Sequence, residues 1–393
     1  MLEYIFKIWY ICIYNTILKS YKGVNIVKKY LKVFAKSLLA LLLIAVVLLA
    51  GYVIYMSINY YRIEDFQAIE TFNQQLEGLQ LSKEYTALTY NIGFGAYNHE
   101  FSFFMDTGMM KDGTKVAGKG SVAKSKKIVI ENTIGIMDVT KSKDADFYLF
   151  QEVDTKATRS YNVNQYEMLK NLFFNHLSVY AQNFHSSYLM LPLNEPHGFV
   201  NSGLLTFSRY KVNESVRRRY PVDESFPTKF FDLDRCFLVS KLPVENGKEL
   251  LIINSHMSAF DEGGLVREKQ LEMLNSFIEA EYKKGNYVIV GGDFNHDIAG
   301  MIEGFESQQS IPDWVFPLDE KNLAEGFSIV KAENYKTIAT CRSTDIPYTK
   351  GVNYIAILDG FIISNNIEAI AENIDSDFEF SDHNPVLLKF RLK

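Results

Sequence analysis

The sequence predicts an α/β or α+β domain preceded by one apolar helix, and three observations support this prediction. Eight apolar runs of strand length, rich in β-branched and aromatic residues and bounded by turn residues, recur between residues 85 and 392. Between several of them, apolar residues recur at spacings of three and four, as on helices. Several runs are apolar on both faces, which is typical of strands covered on both sides, so we expect two packed sheets with helices outside.

Length, net charge and cysteine spacing limit the classes of protein to which the chain can belong. The chain has 393 residues, enough for two domains or for one large domain with an appendage. Its formal net charge of -6 argues against general coating of nucleic acid, which usually needs a basic face, although a local basic cleft is compatible with it. Cys12, Cys236 and Cys341 form no CxxC or metal-type spacing. We therefore expect the last two to be buried free thiols, and only they would be available to pair outside the cell.

The first element of the chain is a predicted membrane span. No charged residue occurs between Lys36 and Arg62, and Leu38 to Ile58 supplies the run of about 20 apolar positions that one helix needs to cross a bilayer. A buried core helix and a cleaved signal peptide are the alternatives. The run is longer than the apolar region of a signal peptide, and no small-x-small site follows it closely, so the sequence favours retention in the membrane.

Charge around this span predicts its orientation. Six lysines stand before the span between positions 19 and 36, whereas Arg62, Glu64 and Asp65 follow it. The positive-inside rule therefore places residues 1–37 in the cytoplasm, 38–58 in the membrane and the rest of the chain outside. Residues 59–84 read as a stalk, and 85–393 as the folded domain. Residues 1–23 fit an interfacial helix, or remain untranslated if Val27 is the initiator, a point that the sequence leaves open.

The predicted elements of the domain follow in chain order. The strands are expected at residues 85–92, 146–153, 203–209, 236–244, 249–257, 287–295, 358–364 and 385–392. Helices are expected at Ser125 to Lys141 and Gly264 to Lys283. The Gly- and Lys-rich stretch from His99 to Ser125 reads as a loop, either solvated surface or a lid. Trp314, in the aromatic stretch PDWVFP, is expected to pack in the core rather than to touch an interface.

Polar residues end most of the predicted strands. They are Asn91, Glu152, His256, Asp293, Asn295, Asp359, Asp382 and His383. A single Asn or Asp in such a place is an ordinary turn residue, but ligands of α/β sheets gather where strands end. The carboxylates and amides suit a hard cation such as Mg²⁺, and the histidines can exchange protons near neutral pH.

The order of these motifs (N, QE, SH, GDFN, LD, SDH) resembles the endonuclease/exonuclease/phosphatase superfamily of metal-dependent phosphoesterases over residues 85 to 393. The resemblance implies a four-layered sandwich, with two central sheets flanked by helices. It also implies hydrolysis of a phosphate ester by in-line attack of water, with Mg²⁺ or Mn²⁺ as cofactor.

The resemblance also implies roles for residues on the metal and water side of the site. Glu152 and Asn91 would hold the metal, and Asp382 would add a carboxylate near it. Asp293 would orient and deprotonate the attacking water. Asn295 would hold that water or a phosphate oxygen.

On the phosphate side, His383 would contact the scissile group, either as an imidazolium donor or as the general base. Asp359 would hold its far nitrogen. His256 would donate to a phosphate oxygen or to the leaving group. Arg235 is a further candidate, for orienting Glu152 or for binding phosphate.

The substrate is less constrained by the sequence. His256 lies in INSHMSAFD, which looks most like neutral sphingomyelinases and inositol-polyphosphate phosphatases. With the outward topology, this favours a phospholipid, sphingomyelin or inositol-phosphate-like headgroup, or a phosphorylated extracellular polymer. Extracellular nucleic acid is the alternative substrate, and a non-catalytic surface scaffold is the alternative to an enzyme. No obligate protein partner is evident, and diesterase or monoesterase preference, the number of metals and the oligomeric state stay open.

Overall fold

The computed structural model describes residues 2–70, 76–259 and 265–393. The chain divides into two compact units, Met1–Tyr60 and Tyr61–Lys393. Residues 71–75 of the predicted stalk and Gly264, the predicted start of a helix, lie outside the described residues.

The first unit is a single helix, α1 (Leu2–Ile58). Within the described ranges, its segment Trp9–Ile58 is the one helix long and apolar enough to cross a membrane by length and composition. Residues 38–58 of α1 would extend about 30 Å, close to the thickness of the hydrocarbon core. Residues 2–23, which fit an interfacial helix by sequence, are the first part of the same continuous helix α1.

The second unit contains the remaining helices and the strands. The helices are α2 (Lys126–Lys141), α3 (Gln165–Leu172) and α4 (Leu265–Lys283). The strands are β1 (Gln67–Ile69), β2 (Glu84–Asn91), β3 (Thr107–Met109), β4 (Lys115–Ala117), β5 (Phe147–Asp154), β6 (Leu177–Leu189), β7 (Gly198–Ser208), β8 (Glu214–Arg219), β9 (Cys236–Pro243), β10 (Glu249–His256), β11 (Tyr287–Asp293), β12 (Phe327–Val330), β13 (Cys341–Arg342), β14 (Ile355–Ala356), β15 (Asp359–Ser364), β16 (Ile367–Asn373) and β17 (Val386–Leu392).

Two large sheets pack face to face, with helices on their outer sides. One has the strand order β1-β8-β9-β10-β11-β15-β12 and the other β16-β17-β2-β5-β7-β6. The core between them is filled from both sheets, for example by Leu149 and Ile252. Ile136 of α2 and Leu169 of α3 pack on the outer face of the six-stranded sheet, and Leu274 of α4 packs on the other. The predicted four-layered α+β sandwich is confirmed.

The elements with the plainest patterns are those that the sequence predicts. All eight expected strands and both expected helices are present, and Ser125 caps α2 by accepting the N–H of Ile128. The sequence did not predict β6, whose side chains alternate between buried and half-buried positions and whose outer face is polar. The predicted loop from His99 to Ser125 contains the short hairpin of β3 and β4.

The segment that follows α1 belongs to the folded domain rather than to a stalk. Strand β1 pairs antiparallel with β8 at the edge of the seven-stranded sheet. Arg62 forms an ion pair with Asp234 at 3.1 Å, and Arg218 binds Asp65 at 3.0 Å. The polar residues that read as a solvated stalk in the sequence are therefore partners of the domain, which begins at Tyr61.

A buried polar contact joins the two sheets just behind their strand ends. Gln151 of β5 donates from Nε2 to Oδ1 of Asn254 in β10 at 2.8 Å, and Asn254 donates to the carbonyl of Phe150 at 3.1 Å. Hydrogen bonds in so dry a place are strong and directional, so they fix how one sheet lies on the other. The ends of β5 and β10 are thereby held in register.

Two smaller predictions are also confirmed. Cys236 and Cys341 are free thiols, and both are buried. Trp314 is partly buried and packs against the cluster that contains Val315 and Tyr354.

Candidate active site

The strand ends of both sheets converge on the carboxylate of Asp293, the last residue of β11. Its Oδ2 accepts a hydrogen bond from Asn91 Nδ2 at 3.0 Å and lies 3.6 Å from Nε2 of both His256 and His383. Its Oδ1 accepts the main-chain N–H of Asn295 at 2.9 Å. Because β2 belongs to one sheet and β10 and β11 belong to the other, the site lies where the two sheets meet.

Close approach of β10 and β11 positions Asp293. These strands are parallel, with His256 opposite Asp293 at their carboxyl ends. A Cβ at Gly292 would lie 1.9 Å from the carbonyl oxygen of Ser255, so only glycine permits this spacing. The GGD sequence therefore has two roles: its second glycine allows the two strands to approach this closely, and its aspartate supplies the carboxylate.

Glu152 reaches the site through an irregularity in β5. The pairing of β5 with β7 shifts register between Phe150 and Val153, and Glu152 has a positive φ of 57°. A left-handed residue at a bulge redirects a side chain that would otherwise follow the alternation of the strand. The Glu152 carboxylate consequently lies 3.4 Å from Asn91 Nδ2, and its side chain keeps 23% exposure.

Asn91 bridges two of the carboxylates. Its Nδ2 donates toward Glu152 and Asp293, while its Oδ1 accepts the main-chain N–H of Gly93 at 3.0 Å. The Gly93 contact fixes this orientation, because the reversed amide would set two donors against each other. The amide nitrogen therefore faces the carboxylates, whereas the predicted role as a metal ligand would need the oxygen there.

His383 and Asp359 form a buried pair. His383 Nδ1 lies 2.8 Å from Asp359 Oδ2, which leaves Nε2 directed at Asp293 and Asn91. Burial alone would lower the pKa of His383, but the charges of Asp359, Asp293 and Asp382 outweigh it and hold that pKa well above its usual range. The raised pKa favours the imidazolium form of His383.

The pKa of His256 is shifted in the opposite direction. Burial lowers its pKa well below the usual range, and the positive charges of Arg235 and His383 lower it further. Its Nδ1 has no hydrogen-bond partner within the described ranges. The lowered pKa favours a neutral imidazole beside Asp293.

Arg235 lies among these groups with donors unused. The residue is 5% exposed, and its Nε and Nη1 have no hydrogen-bond partner among the described residues. Burial lowers the pKa of Arg235, an effect that Asp232, Glu152 and Asp293 oppose, and a guanidinium stays charged at any ordinary pH. A buried cation with free donors is suited to an anionic oxygen.

Asp382 and Asn295 occupy the rim and the floor of the site. A Cβ at Gly93 would lie 2.8 Å from Asp382 Oδ1, so this carboxylate stands directly over the turn after β2. Burial raises the pKa of Asp382, while His383 and Arg342 oppose the shift. Asn295 donates from Nδ2 to the carbonyl of Met257 at 2.9 Å, which ties the turn after β11 to the end of β10.

The structure adds two arginines that sequence reasoning missed. Arg159 makes a two-pronged contact with Asp154, at 2.9 and 3.1 Å, and its Nη2 lies 4.0 Å from Glu152. Arg342 donates to the carbonyls of Asn98 and Tyr97, and its charge lowers the pKa of Asp382. Arg159 lies in a three-residue helical turn and Arg342 in the two-residue strand β13, both too short to show a periodic pattern, so only the two acids of the FQEVD run indicated a partner.

The donor set fits a hard divalent cation. Burial raises the pKa of Glu152, an effect that Arg159 opposes and Asp382 increases, so these carboxylates repel each other in the absence of a cation. Carboxylate oxygens are the ligands that Mg²⁺ and Mn²⁺ prefer. Asp293, Asp359 and His383 also place ligand atoms within 4.8 Å of one another, although Asp359 and His383 already bind each other.

A family model matches most of the chain. The model described as "Endonuclease/Exonuclease/phosphatase family" matches residues 88–383, a range that begins in β2 and ends at His383 and so includes every residue proposed for the site. No curated protein sequence matches the chain.

Several solved structures are similar in fold. An endonuclease/exonuclease/phosphatase from Beutenbergia cavernae DSM 12333 has a TM-score of 0.51 and 14% identity, over 79% of this chain and 72% of that chain. An endonuclease/exonuclease/phosphatase family protein from Leptotrichia buccalis C-1013-b has a TM-score of 0.49 and 16% identity, over 78% and 100%. D. rerio TDP2 complexed with single strand DNA product has a TM-score of 0.47 and 14% identity, over 79% and 100%. At these identities the likeness concerns the fold alone.

Proposed function

Because the chain belongs to the endonuclease/exonuclease/phosphatase family, we propose that it is a hydrolase that cleaves a phosphate ester with the help of Mg²⁺ or Mn²⁺. The observation that supports this most is the convergence on Asp293, where an amide, two histidines and a carboxylate from both sheets meet within 3.0 to 3.6 Å. Residues that only capped a helix or formed a turn would not need to contact one another in this way.

Glu152 and Asp382 are the residues that would hold the cation. Burial raises the pKa of both carboxylates, which means that their negative charges are unfavourable in this site. A positive charge between them would offset that cost. A bound divalent cation would neutralise phosphate oxygens and stabilise the charge that develops on them. Asn91 contributes by holding Glu152 and Asp293 side by side through its amide nitrogen.

Asp293 is the proposed base for the attacking water. Its Oδ1 is occupied by the N–H of Asn295, which leaves Oδ2 as the atom that faces both histidines. Asn295 positions this carboxylate through its main-chain N–H group. Neutral His256 stands next to Oδ2 and can donate from Nε2 to a phosphate oxygen or to the leaving group.

His383 is the proposed cationic donor to the scissile phosphate. The sequence leaves two roles open, imidazolium donor or general base, and the raised pKa of His383 beside Asp359 supports the donor. Asp359 binds Nδ1 of His383 and so fixes the orientation of the ring, which leaves the Nε2–H group to donate to the phosphate. Arg235 supplies a second positive charge with free N–H groups for phosphate oxygens.

We also propose that α1 holds the domain at the outer face of a membrane. This rests on the apolar segment Trp9–Ile58 and on the lysines that precede the predicted span. With that topology, the substrate is a phospholipid or a sphingomyelin- or inositol-phosphate-like headgroup, and extracellular nucleic acid is the alternative.

Hydrolysis by the full chain in detergent or nanodiscs tests the proposal. We expect Mg²⁺- or Mn²⁺-dependent cleavage of bis-p-nitrophenyl phosphate, and then cleavage of one class in a panel of sphingomyelin, glycerophospholipids, inositol phosphates, DNA and RNA. Cleavage of DNA or RNA alone would favour the nuclease. Inactivity of the wild type with every metal and substrate would favour a non-catalytic scaffold on the same fold.

A further inference from the structure

An exposed apolar patch lies between β6 and β7, at the tip of their hairpin. We call residues 186–194 the hairpin tip. No charged residue occurs in it, and four of its large side chains are exposed: Tyr188 by 40%, Met190 by 42%, Leu191 by 54% and Leu193 by 77%. Apolar side chains clustered this way on a protein surface mark a site of interaction.

A lysine-rich segment lies beside the hairpin tip. Residues 111–127 contain six exposed lysines, at positions 111, 115, 119, 124, 126 and 127, against one acid, Asp112. Two of the lysines have acidic partners outside the segment, Lys124 with Glu100 and Lys127 with Glu131.

Hydrogen bonds connect the lysine-rich segment to the residues that directly follow the hairpin tip. The main-chain N–H of Ser121 donates to Glu195 Oε2 at 3.1 Å, and the carbonyl of Ser121 lies 2.6 Å from Nδ1 of His197. Lys119 and Lys124 also line, with the acids Glu100, Glu195 and Asp345, a cavity of about 570 Å³. The middle of the basic segment therefore lies next to the residues that directly follow the apolar tip.

The start of the domain lies against the same hairpin. The ring of Tyr61, the first residue of the domain, lies 4.2 Å from the ring of His185 in β6. Asp234 binds both sides of this contact, accepting from Arg62 at 3.1 Å and from the N–H of His185 at 3.0 Å. Leu189 follows His185 by four residues, which is about 13 Å along a strand. Helix α1 ends at Ile58, three residues before Tyr61 in the sequence.

We propose that the hairpin tip and the lysine-rich segment form a docking surface for a phospholipid bilayer with anionic headgroups. The tip inserts Leu191 and Leu193 at the level of the acyl chains, Tyr188 lies at the interface, and the lysines contact the headgroups. A bilayer is the occupant that fits, because the surface combines aliphatic side chains with positive charge and belongs to a domain that follows an apolar helix in the sequence. The proposal rests on the membrane span of the proposed function and does not depend on catalysis.

The docking surface adjoins the catalytic site through a series of aromatic contacts. The ring of His197, at the start of the tip's return strand, lies 6.0 Å from that of Phe103, and Phe103 lies 6.3 Å from Tyr97. Tyr97 and Asp382 both crowd Gly93, where a Cβ would lie within 2.8 Å of either. These contacts connect the residues that follow the tip to the turn over which Asp382 stands.

Depth-dependent quenching in the full chain tests the docking surface. In a Cys12→Ser background, where the remaining cysteines are buried, Leu193→Cys receives an environment-sensitive fluorophore. The matched control is Ile370→Cys, an aliphatic residue 53% exposed on β16, the opposite edge strand of the same sheet. Each chain is reconstituted into vesicles of phosphatidylcholine and phosphatidylglycerol that carry nitroxide-labelled lipids.

We expect a blue shift and strong quenching at position 193, both weaker when phosphatidylglycerol is omitted, and neither at position 370. No quenching at 193, or equal quenching at both positions, would refute the proposal. Energy transfer between differently labelled copies without lipid quenching would assign the tip to self-association instead. Carbonate extraction of the same vesicles reports separately on α1, so failure of the span and failure of the tip are distinguishable.

Discussion

The strand-end cluster around Asp293 and the hairpin tip depart from the usual pattern of burial in opposite directions. In the cluster, polar atoms are buried without partners among the described residues, namely Nε and Nη1 of Arg235, Nδ1 of His256 and Oδ1 of Asp359. At the tip, Leu191 and Leu193 are exposed. Burying an unpaired polar atom and exposing an aliphatic side chain both cost free energy. In the two proposals above, each region would be completed by something outside the chain, a charged ligand in one and an apolar phase in the other.

The largest expected effect comes from removing a carboxylate of the cluster. Glu152→Gln should lower kcat/KM toward bis-p-nitrophenyl phosphate by about 10³-fold or more, because the cation and the phosphate charge lose their ligand. Glu214→Gln, at an exposed carboxylate that pairs with Lys241, is the matched control and should retain full activity. Equal activity of the two variants would remove Glu152 from the site.

A smaller effect is expected from Asp359→Asn, which acts through His383. The proposed mechanism requires the imidazolium, so we expect wild-type activity to be lost as the pH rises through the raised pKa of His383. Without the negative charge of Asp359 this pKa falls, so the alkaline limb of the kcat/KM profile should move to lower pH. The maximum should also drop, by about 10²-fold, since a misplaced proton donor contributes less. An unshifted alkaline limb would contradict the donor role, and the exposed Asp138→Asn should leave the profile unchanged.

The strand-end cluster and the hairpin tip also differ in how well the sequence predicts them. The cluster was predictable because its members end strands with clear apolar patterns, as Asp293 does in YVIVGGDFN. The orientation of Asn91 was not, because it depends on the N–H of Gly93 across a turn. Arg159 reaches Glu152 from a short helix that has no sequence signal of its own.

The hairpin tip was not predictable for a different reason. A run such as YLMLPL has the composition of a buried strand, and composition does not say whether a run is covered. Exposure follows only from the pairing of β6 with β7, which ends at Leu189 and Gly198 and leaves the intervening residues without a neighbouring strand. Long-range pairing also decides that residues 61–69 join the domain.

Stability should separate the two regions further. In the absence of metal, Glu152→Gln should raise the melting temperature by a few degrees, on the order of 1 kcal/mol, since it removes a buried charge whose pKa is already raised. The gain in melting temperature on adding Mg²⁺ should be smaller for the variant than for the wild type. Thermal scans with Mg²⁺ and with chelator measure both. If the metal-free variant were less stable than the wild type, the contacts of the Glu152 carboxylate within the domain would stabilise the fold more than the burial of its charge destabilises it.

The smallest effect on the isolated molecule is expected at the tip. Leu191→Ser combined with Leu193→Ser should change the unfolding free energy by less than about 0.5 kcal/mol and leave hydrolysis of bis-p-nitrophenyl phosphate unchanged, because both side chains are exposed. On a phosphate ester presented in vesicles, the same variant should be several-fold slower, since the site no longer meets the headgroups at a fixed height. Ile370→Ser is the control for loss of an exposed aliphatic side chain. If the double variant lost activity equally on soluble and vesicle-bound substrates, the tip would act on the site through the protein, along the contacts of His197 and Phe103, rather than through the bilayer.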